Sequence, residues 1–545
     1  MGLRARLNSR FGRRGRRLRA TARQTFDWQD LRPGQQEAME HLLDGRDVLL
    51  VMPTGAGKSA VYQVPAQLRD GPTVVVSPLI ALQRDQVLGL QKADAGGAVA
   101  VNSTSSVKAG LEKVTAGEAE FVFLSPEQLA KPDVVAQLAQ AKPSLIAVDE
   151  AHCVSSWGHD FRPDYLRLGK AIERLGHPPV VALTATAAPN VREEIVRSLG
   201  LKDPVQIVRG FDRPNIRLEV RRFVTDDDKS QALAEHAASL GGLGLVYVAT
   251  RREAEEYAAL LTGLGRHAEP YHAGMRTAER TRVHGLFTAG EVDTVVATSA
   301  FGMGIDRPDV RYVLHAAPPE SPDAYYQEIG RAGRDGKPAS AVLFYRSEDL
   351  GLRRFFAGGR ADAEALLRVA TLVKEHGGTV PATELRALLQ VSASQLTSLV
   401  NLLEQAEAVT VTDSGDLRYA RGGPPPEQAA ARAVELDDIR HRVDDSRIDM
   451  MRGYAETTGC RRRFLLEYFG EPYDAACGTC DTCQDGQEPI ATGEGPYPLH
   501  AKVEHQAWGR GTVMRREPDR ITVLFDSVGY KTLSLAAVEN VLRLA

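Results

Sequence analysis

Short apolar runs alternate with longer stretches of helical, half-polar periodicity over the first two-thirds of the chain. Val48–Val51, Thr73–Ser77, Phe121–Leu124, Leu145–Asp149 and Val180–Thr184 are continuous rather than alternating, as strands buried on both faces are. Helical stretches separate them, so residues Phe26 to about Arg209 are predicted to form a parallel α/β sheet. A second set follows, with strands expected at Leu245–Val248, Thr294–Ala297, Arg311–His315 and Ala341–Phe344. Phe211-Asp212-Arg213-Pro214-Asn215 between the sets is the expected hinge. The pattern changes after Phe356. Three helical stretches lead to Val409–Thr412 and Leu417–Tyr419, Gly422-Gly423-Pro424-Pro425-Pro426 reads as a linker, and residues 427–470 are helical and charged. A second Gly/Pro-rich linker then precedes a β-rich end, with Gly509–Val513 and Ile521–Phe525 as its clearest strands.

The first set contains a phosphate loop. Met52-Pro53-Thr54-Gly55-Ala56-Gly57-Lys58-Ser59 joins a buried strand to a helix start. Such a turn points backbone N–H groups and a helix N-terminus into one concavity, which suits a polyphosphate. Lys58 is expected at the β- and γ-phosphates and Ser59 on Mg²⁺, with Thr54, Gly55, Ala56 and Gly57 supplying the cradle. The strict pattern has glycine where this chain has Met52. A Gly-rich turn can arise by chance, but the strand Leu145–Val148 ends in Asp149 and Glu150, roughly 90 residues downstream. Asp149 is expected in the Mg²⁺ shell and Glu150 beside the attacking water. Only the first set has such a loop, so one ATP is expected in the cleft between the two sets.

Composition adds bounds. The 545 residues suffice for three or four domains, and 43% hydrophobic with 25% charged is ordinary for a globular chain. No apolar run has membrane-spanning length. Residues 1–23 carry nine arginines and no acid; with a net charge of −4, that leaves the remainder at −13. The basic stretch lacks the apolar core of a secretory signal and reads as a disordered arm for phosphates, a solubilising tail, a misassigned start or, less favoured, a transit peptide. Four of the five cysteines cluster late: Cys460, Cys477, Cys480 and Cys483, separated by sixteen, two and two residues. Four thiolates suit a closed, structural zinc site in a reducing compartment. Cys153 is not expected among the ligands.

Longer strings carry a family resemblance. Phe26-Asp27-Trp28-Gln29-Asp30-Leu31-Arg32-Pro33-Gly34-Gln35, the loop Ala151–Pro163 with its Trp157-Gly158-His159-Asp160-Phe161-Arg162, Leu183–Ala187, Ala300–Asp306 and Tyr325–Gly336 together resemble the RecQ DNA helicases of superfamily 2. The resemblance implies two RecA-like domains in tandem and a RecQ-type zinc domain. It implies that Gln35 and Arg32 read adenine, and that Trp157, His159, Phe161 and Arg162 contact DNA. Arg334 is implied as an arginine finger with Arg331 as its partner, both on one helical face by their spacing of three. The implied activity is ATP-dependent 3′-to-5′ unwinding in DNA recombination and repair, on single strands and 3′-tailed duplexes, in a cytoplasmic, nucleoid-associated bacterial setting. An RNA helicase and an ATP-switched DNA-binding adaptor remain as rivals.

The resemblance covers about 25–356 and 430–486. Between them, 360–421 resembles a winged helix, which the family usually places after the zinc region. The end resembles the Tudor/SH3-like barrel of UvrD-type helicases and implies RNA polymerase as a partner; direct DNA binding and a passive cap on the zinc region stay open. The expected domains are a basic tail 1–24, RecA-like domains 25–210 and 211–356, the winged-helix-like segment 360–421, a zinc-binding domain 427–486 and a barrel 497–545.

Overall fold

A computed structural model of the chain describes residues 3–78, 80–102, 106–155, 162–301, 307–412, 415–486, 496–538 and 540–545. The chain forms two units, Met1–Leu350 with Met450–Gly493, and Gly351–Asp449 with Glu494–Ala545.

The first unit contains two parallel sheets. One comprises β1 (Val48–Val51), β2 (Thr73–Val76), β3 (Ala98–Val101), β4 (Phe121–Leu124), β5 (Leu145–Val148), β6 (Val180–Thr184) and β7 (Val205–Val208), in the order β3-β4-β2-β5-β6-β1-β7. The other comprises β8 (Ile216–Arg222), β9 (Leu243–Tyr247), β10 (Ala268–Tyr271), β11 (Thr294–Ala297), β12 (Val310–His315) and β13 (Ala339–Tyr345), in the order β10-β11-β9-β12-β13-β8. Every residue of β1, β2, β4, β5 and β6 is buried, which is why these strands read as unbroken apolar runs. β3, β7, β8 and β10, absent from the sequence reading, are all edge strands and only partly buried. Pairing of Val48 with both Val181 and Val205 seats β1 between β6 and β7. The strand ends that carry ligands in such sheets therefore meet at one rim.

The basic N-terminus departs from the expected arm or tail. Leu3–Phe26 is a helix, and Leu18 and Ala22 are buried in the core that also holds Met39, Leu42 and Val61. Gly15, Leu18 and Ala22 share one helical face. At Gly15 a side chain would collide with Gln36 and Glu40, so glycine permits the close approach. Arg19 Nη1 donates to Gln36 Oε1 at 2.6 Å, and Arg14 pairs with Asp44.

The zinc-region helix Arg461–Tyr468 packs against β8 and the helix Pro322–Ile329. Phe469 stacks on Phe211 with ring centroids 4.6 Å apart, and Val220 N–H donates to Asp481 Oδ2 at 2.9 Å.

In the second unit, the helices Ala363–Glu375, Ala382–Leu389 and Ala393–Gln405 pack on a three-stranded antiparallel sheet, Thr379–Val380, Val409–Val411 and Leu417–Tyr419. This is the winged-helix-like arrangement. The expected linker is shorter than its composition suggests, because a helix resumes at Pro426 and runs to Glu456. The C-terminal sheet is antiparallel and five-stranded: Lys502–His505, Gly509–Arg516, Arg520–Phe525, Gly529–Ser534 and Leu542–Leu544. Val503, Val513, Val523, Phe525 and Leu542 form its small core. Its hairpin rests on the long helix: Tyr530 N–H donates to Ser446 Oγ at 3.0 Å, and any side chain at Gly529 would overlap Ser446. Among the described residues no helix is long and apolar enough to cross a membrane.

Candidate functional site

A cavity of about 930 Å³ opens at the rim of the first sheet. Thr54, Gly55, Gly57, Lys58, Ser59, Asp149 and Glu150 line it from one side, and Gln327, Arg331 and Arg334 from the other. Gly55 and Gly57 have φ of +78° and +72°, which turns the loop tightly enough to bring its amides together. Gly57 also lets Gln35 approach, and Gly55 lets Arg334 lie across the loop: a Cβ at either would sit 3.0 Å from that side chain. Lys58 Nζ is held over the loop by Met52 O at 3.2 Å. Burial lowers the Lys58 pKa, and the charges of Glu150 and Asp149 oppose that shift.

The two carboxylates follow β5 directly. Glu150 has φ +47°, a left-handed conformation that costs roughly 1–2 kcal/mol outside glycine. Its N–H donates to Asp149 Oδ1 at 3.0 Å. Burial, and then the neighbouring Glu150, raise the Asp149 pKa to about 7. Glu150 Oε2 is buried without a hydrogen bond. Asp149 and Glu150, consecutive carboxylates lining the cavity, fit a divalent cation.

A polar chain leads from the carboxylates to the second sheet's side. His152 Nδ1 is 2.9 Å from Thr184 Oγ1 and 3.3 Å from Glu150 Oε2. Thr184 Oγ1 donates to Thr186 O at 2.9 Å, and Gln327 Nε2 donates to Thr186 Oγ1 at 3.4 Å.

Gln35 turns its amide to the loop itself. Nε2 donates to Ala56 O and Gly57 O at 3.0 and 2.8 Å, and Oε1 accepts from Arg32 N–H at 2.8 Å. Arg32 Nη1 donates to Gly55 O at 2.5 Å. An adenine edge presented to Gln35 would exchange these bonds. Phe26 and Trp28, which no role was assigned from sequence, line the cavity with their rings stacked at 4.6 Å. Their position seven and nine residues before Gln35 was the available signal.

Arg331 and Arg334 correct one expectation. The helix Pro322–Ile329 stops before them, and both stand in the turn that follows rather than on a helical face. Gly330 caps the helix, and Gly333, with φ +56°, keeps it from resuming between the two arginines. Both arginines still line the cavity. Trp157, His159 and Phe161 lie outside the described residues. Arg162 is half-buried, and its N–H donates to Cys153 O at 2.9 Å.

Cys460, Cys477, Cys480 and Cys483 place one sulfur each within 4.8 Å of all the others, with Cys477 and Cys483 Sγ 3.9 Å apart. Zn–S bonds of about 2.3 Å in a tetrahedron put sulfurs about 3.8 Å apart, so the cluster fits zinc. Cys480 N–H donates to Cys477 Sγ at 3.3 Å, the bond a thiolate ligand attracts. Cys153 is not part of the cluster.

Three family models match in series: DEAD/DEAH box helicase over residues 32–194, helicase conserved C-terminal domain over 228–336, and RecQ zinc-binding over 427–484. The chain is 34% identical over 476 residues to the probable ATP-dependent DNA helicase RecS of Bacillus subtilis, covering 86% of this chain and 91% of RecS. It is 35% identical to the ATP-dependent DNA helicase RecQ of Haemophilus influenzae, covering 84% of this chain and 62% of that protein. The structure of Mycobacterium smegmatis helicase Lhr bound to ssDNA and AMP-PNP shares the fold, with a TM-score of 0.52 at 20% identity over 78% of this chain and 62% of that one. With its nucleotide-binding helicase domains and four-cysteine zinc region, the chain belongs to the RecQ family of ATP-dependent DNA helicases in superfamily 2.

Proposed function

We propose that the protein hydrolyses ATP in the cleft to move 3′-to-5′ along single-stranded DNA and unwind duplexes during recombination and repair, in the bacterial cytoplasm at the nucleoid. The observation that carries the reading is the two-sided cleft, with Lys58, Asp149 and Glu150 on one side and Arg331 and Arg334 on the other. Lys58 and the loop amides bind the phosphates. Glu150 orients the attacking water and takes its proton as the bond to the γ-phosphorus forms and the bond to ADP breaks. Arg334, with Arg331, meets the charge that develops on the γ-phosphoryl oxygens, an effect worth about 10³-fold or more. Ser59 and Asp149 would hold Mg²⁺, which neutralises phosphate charge when bound. Phe26 and Trp28 offer a stacking face to the base, beside Gln35 and Arg32.

Single-stranded DNA runs over Trp157, His159, Phe161 and Arg162, whose loop begins at the catalytic carboxylates. The reading assigns functional modules to 25–210, 211–356, 360–421, 427–486 and 497–545. The last binds RNA polymerase, a role supported by its likeness to the UvrD-type terminus and by a core too small to enclose chemistry. A strand-displacement assay tests the central reading: 3′-tailed DNA duplexes are unwound with ATP, while 5′-tailed and RNA duplexes are not. Binding without displacement would instead identify an ATP-switched adaptor.

A further inference from the structure

Two side chains of the connector between the sheets have no part in the chemistry above. Arg213 Nη1 donates to Gly330 O at 3.2 Å, and Nη2 donates to Ala332 O and Gly333 O at 2.7 and 3.1 Å. Asn215 Nδ2 donates to Gly333 O and Lys337 O at 2.8 and 2.9 Å. These carbonyls belong to the turn that carries Arg331 and Arg334. They follow the end of a helix, where carbonyls have lost their intrahelical donors. Gly333 adopts φ +56°, and a side chain there would overlap Asn215 Nδ2, so the turn and the connector are shaped to each other.

The connector is itself anchored. Tyr326 Oη donates to Phe211 O at 2.7 Å, Phe211 N–H donates to Glu471 Oε2 at 2.5 Å, and Arg462 pairs with Asp212. Arg213 thus acts from a fixed base. A planar guanidinium can serve three carbonyls at once, whereas an ammonium on a flexible stem holds no such fork.

We propose that Arg213 is a positioning residue for ATP hydrolysis: it fixes the turn that aims Arg331 and Arg334 into the cleft, with Asn215 as its second support. The inference rests on the reading of Arg334 as the finger.

The test compares Arg213→Ala, Arg213→Lys, Arg334→Ala and the double variant Arg213→Ala/Arg334→Ala in the full-length, zinc-loaded protein. Steady-state ATPase, affinity for ADP and affinity for ADP–aluminium fluoride are measured. Arg213→Ala should lower kcat by about 10²-fold, the scale of a misplaced catalytic group, with ADP affinity within about twofold. Affinity for the transition-state mimic should fall in parallel with kcat. Arg213→Lys should restore little of it. The double variant should be within about threefold of Arg334→Ala, because both changes remove one effect. Multiplying effects in the double variant, equal weakening of ADP and its fluoride complex, or a near-wild-type Arg213→Ala would each overturn the proposal. A near-wild-type Arg334→Ala would overturn the finger reading and this inference with it; a crippled Arg334→Ala beside a normal Arg213→Ala would overturn this inference alone. If Arg213→Ala loses zinc or cooperative unfolding, Asn215→Ala serves in its place, with the same pattern at about tenfold and the same overturning outcomes.

Discussion

The two sides of the cleft are built differently. On the first, each reactive group stands within a few residues of a strand end: Lys58 after β1, Asp149 and Glu150 after β5. Their placement is fixed locally, by the strand, the loop glycines and the next helix. On the second, Arg331 and Arg334 stand in a turn whose carbonyls are held by Arg213, more than a hundred residues earlier in the chain. A change on the first side alters a chemical group. A change on the second alters where an intact group points. The two sides should therefore fail in different ways.

Glu150→Gln should show the largest effect. It removes the proposed base but not the shape, so turnover should fall by about 10³-fold with nucleotide affinity retained. ATP hydrolysis near the wild-type rate would erase the proposed division of labour on the first side. Gly333→Ala comes next. It leaves every charged group in place, yet strains a left-handed residue and displaces Asn215. A loss of up to about 10²-fold in kcat, with ADP affinity unchanged, would mark failure by misdirection. Equal losses in both quantities would show that the turn serves folding alone.

Zinc tests how far the second side's support extends. Cys480→Ser should reduce zinc from about one per chain to near none, since a structural site needs all four ligands. The connector's partners Glu471, Arg462 and Phe469 belong to that region, so ATPase should fall by roughly 2- to 30-fold, the range of coupling through packed networks. An unaltered ATPase in zinc-free protein would confine the metal to local stability. Ser446→Leu should have the smallest effect on the cleft. It should loosen the C-terminal hairpin by about 1–3 kcal/mol, visible as faster proteolysis there, while ATPase stays within about twofold.

The same contrast explains what the sequence could convey. Central strands were legible because burial on both faces leaves only apolar residues, as in Leu145–Val148. The edge strand Ile216–Arg222 was not, because its exposed positions carry Arg217 and Arg222, and half-buried Glu219 and Arg221 interrupt the apolar ones. Spacing of three suggested a helical face for Arg331 and Arg334, but the helix ends at Ile329, with Gly330 as its cap, before either is reached. Gln35 was expected at the adenine, and it lines the cavity; its bonds to Ala56 and Gly57 were not legible, since they depend on how the loop folds back. At the N-terminus nine arginines masked the Gly15–Leu18–Ala22 stripe, and a docked helix read as a tail.

That helix has a consequence for synthesis. Its docking surface is formed by Gln35–Leu43 and Ala60–Ala66, so it can pack on those two helices once Ala66 has left the ribosome. The strands that flank β1, β6 and β7, emerge more than a hundred residues later, roughly ten seconds at ordinary elongation rates. For that interval the phosphate-loop strand has no partner in its sheet, and an unpaired apolar strand invites aggregation. By then the arginine-rich helix would already cover the Gln35–Leu43 and Ala60–Ala66 helices, with Leu18 and Ala22 turned into their shared core.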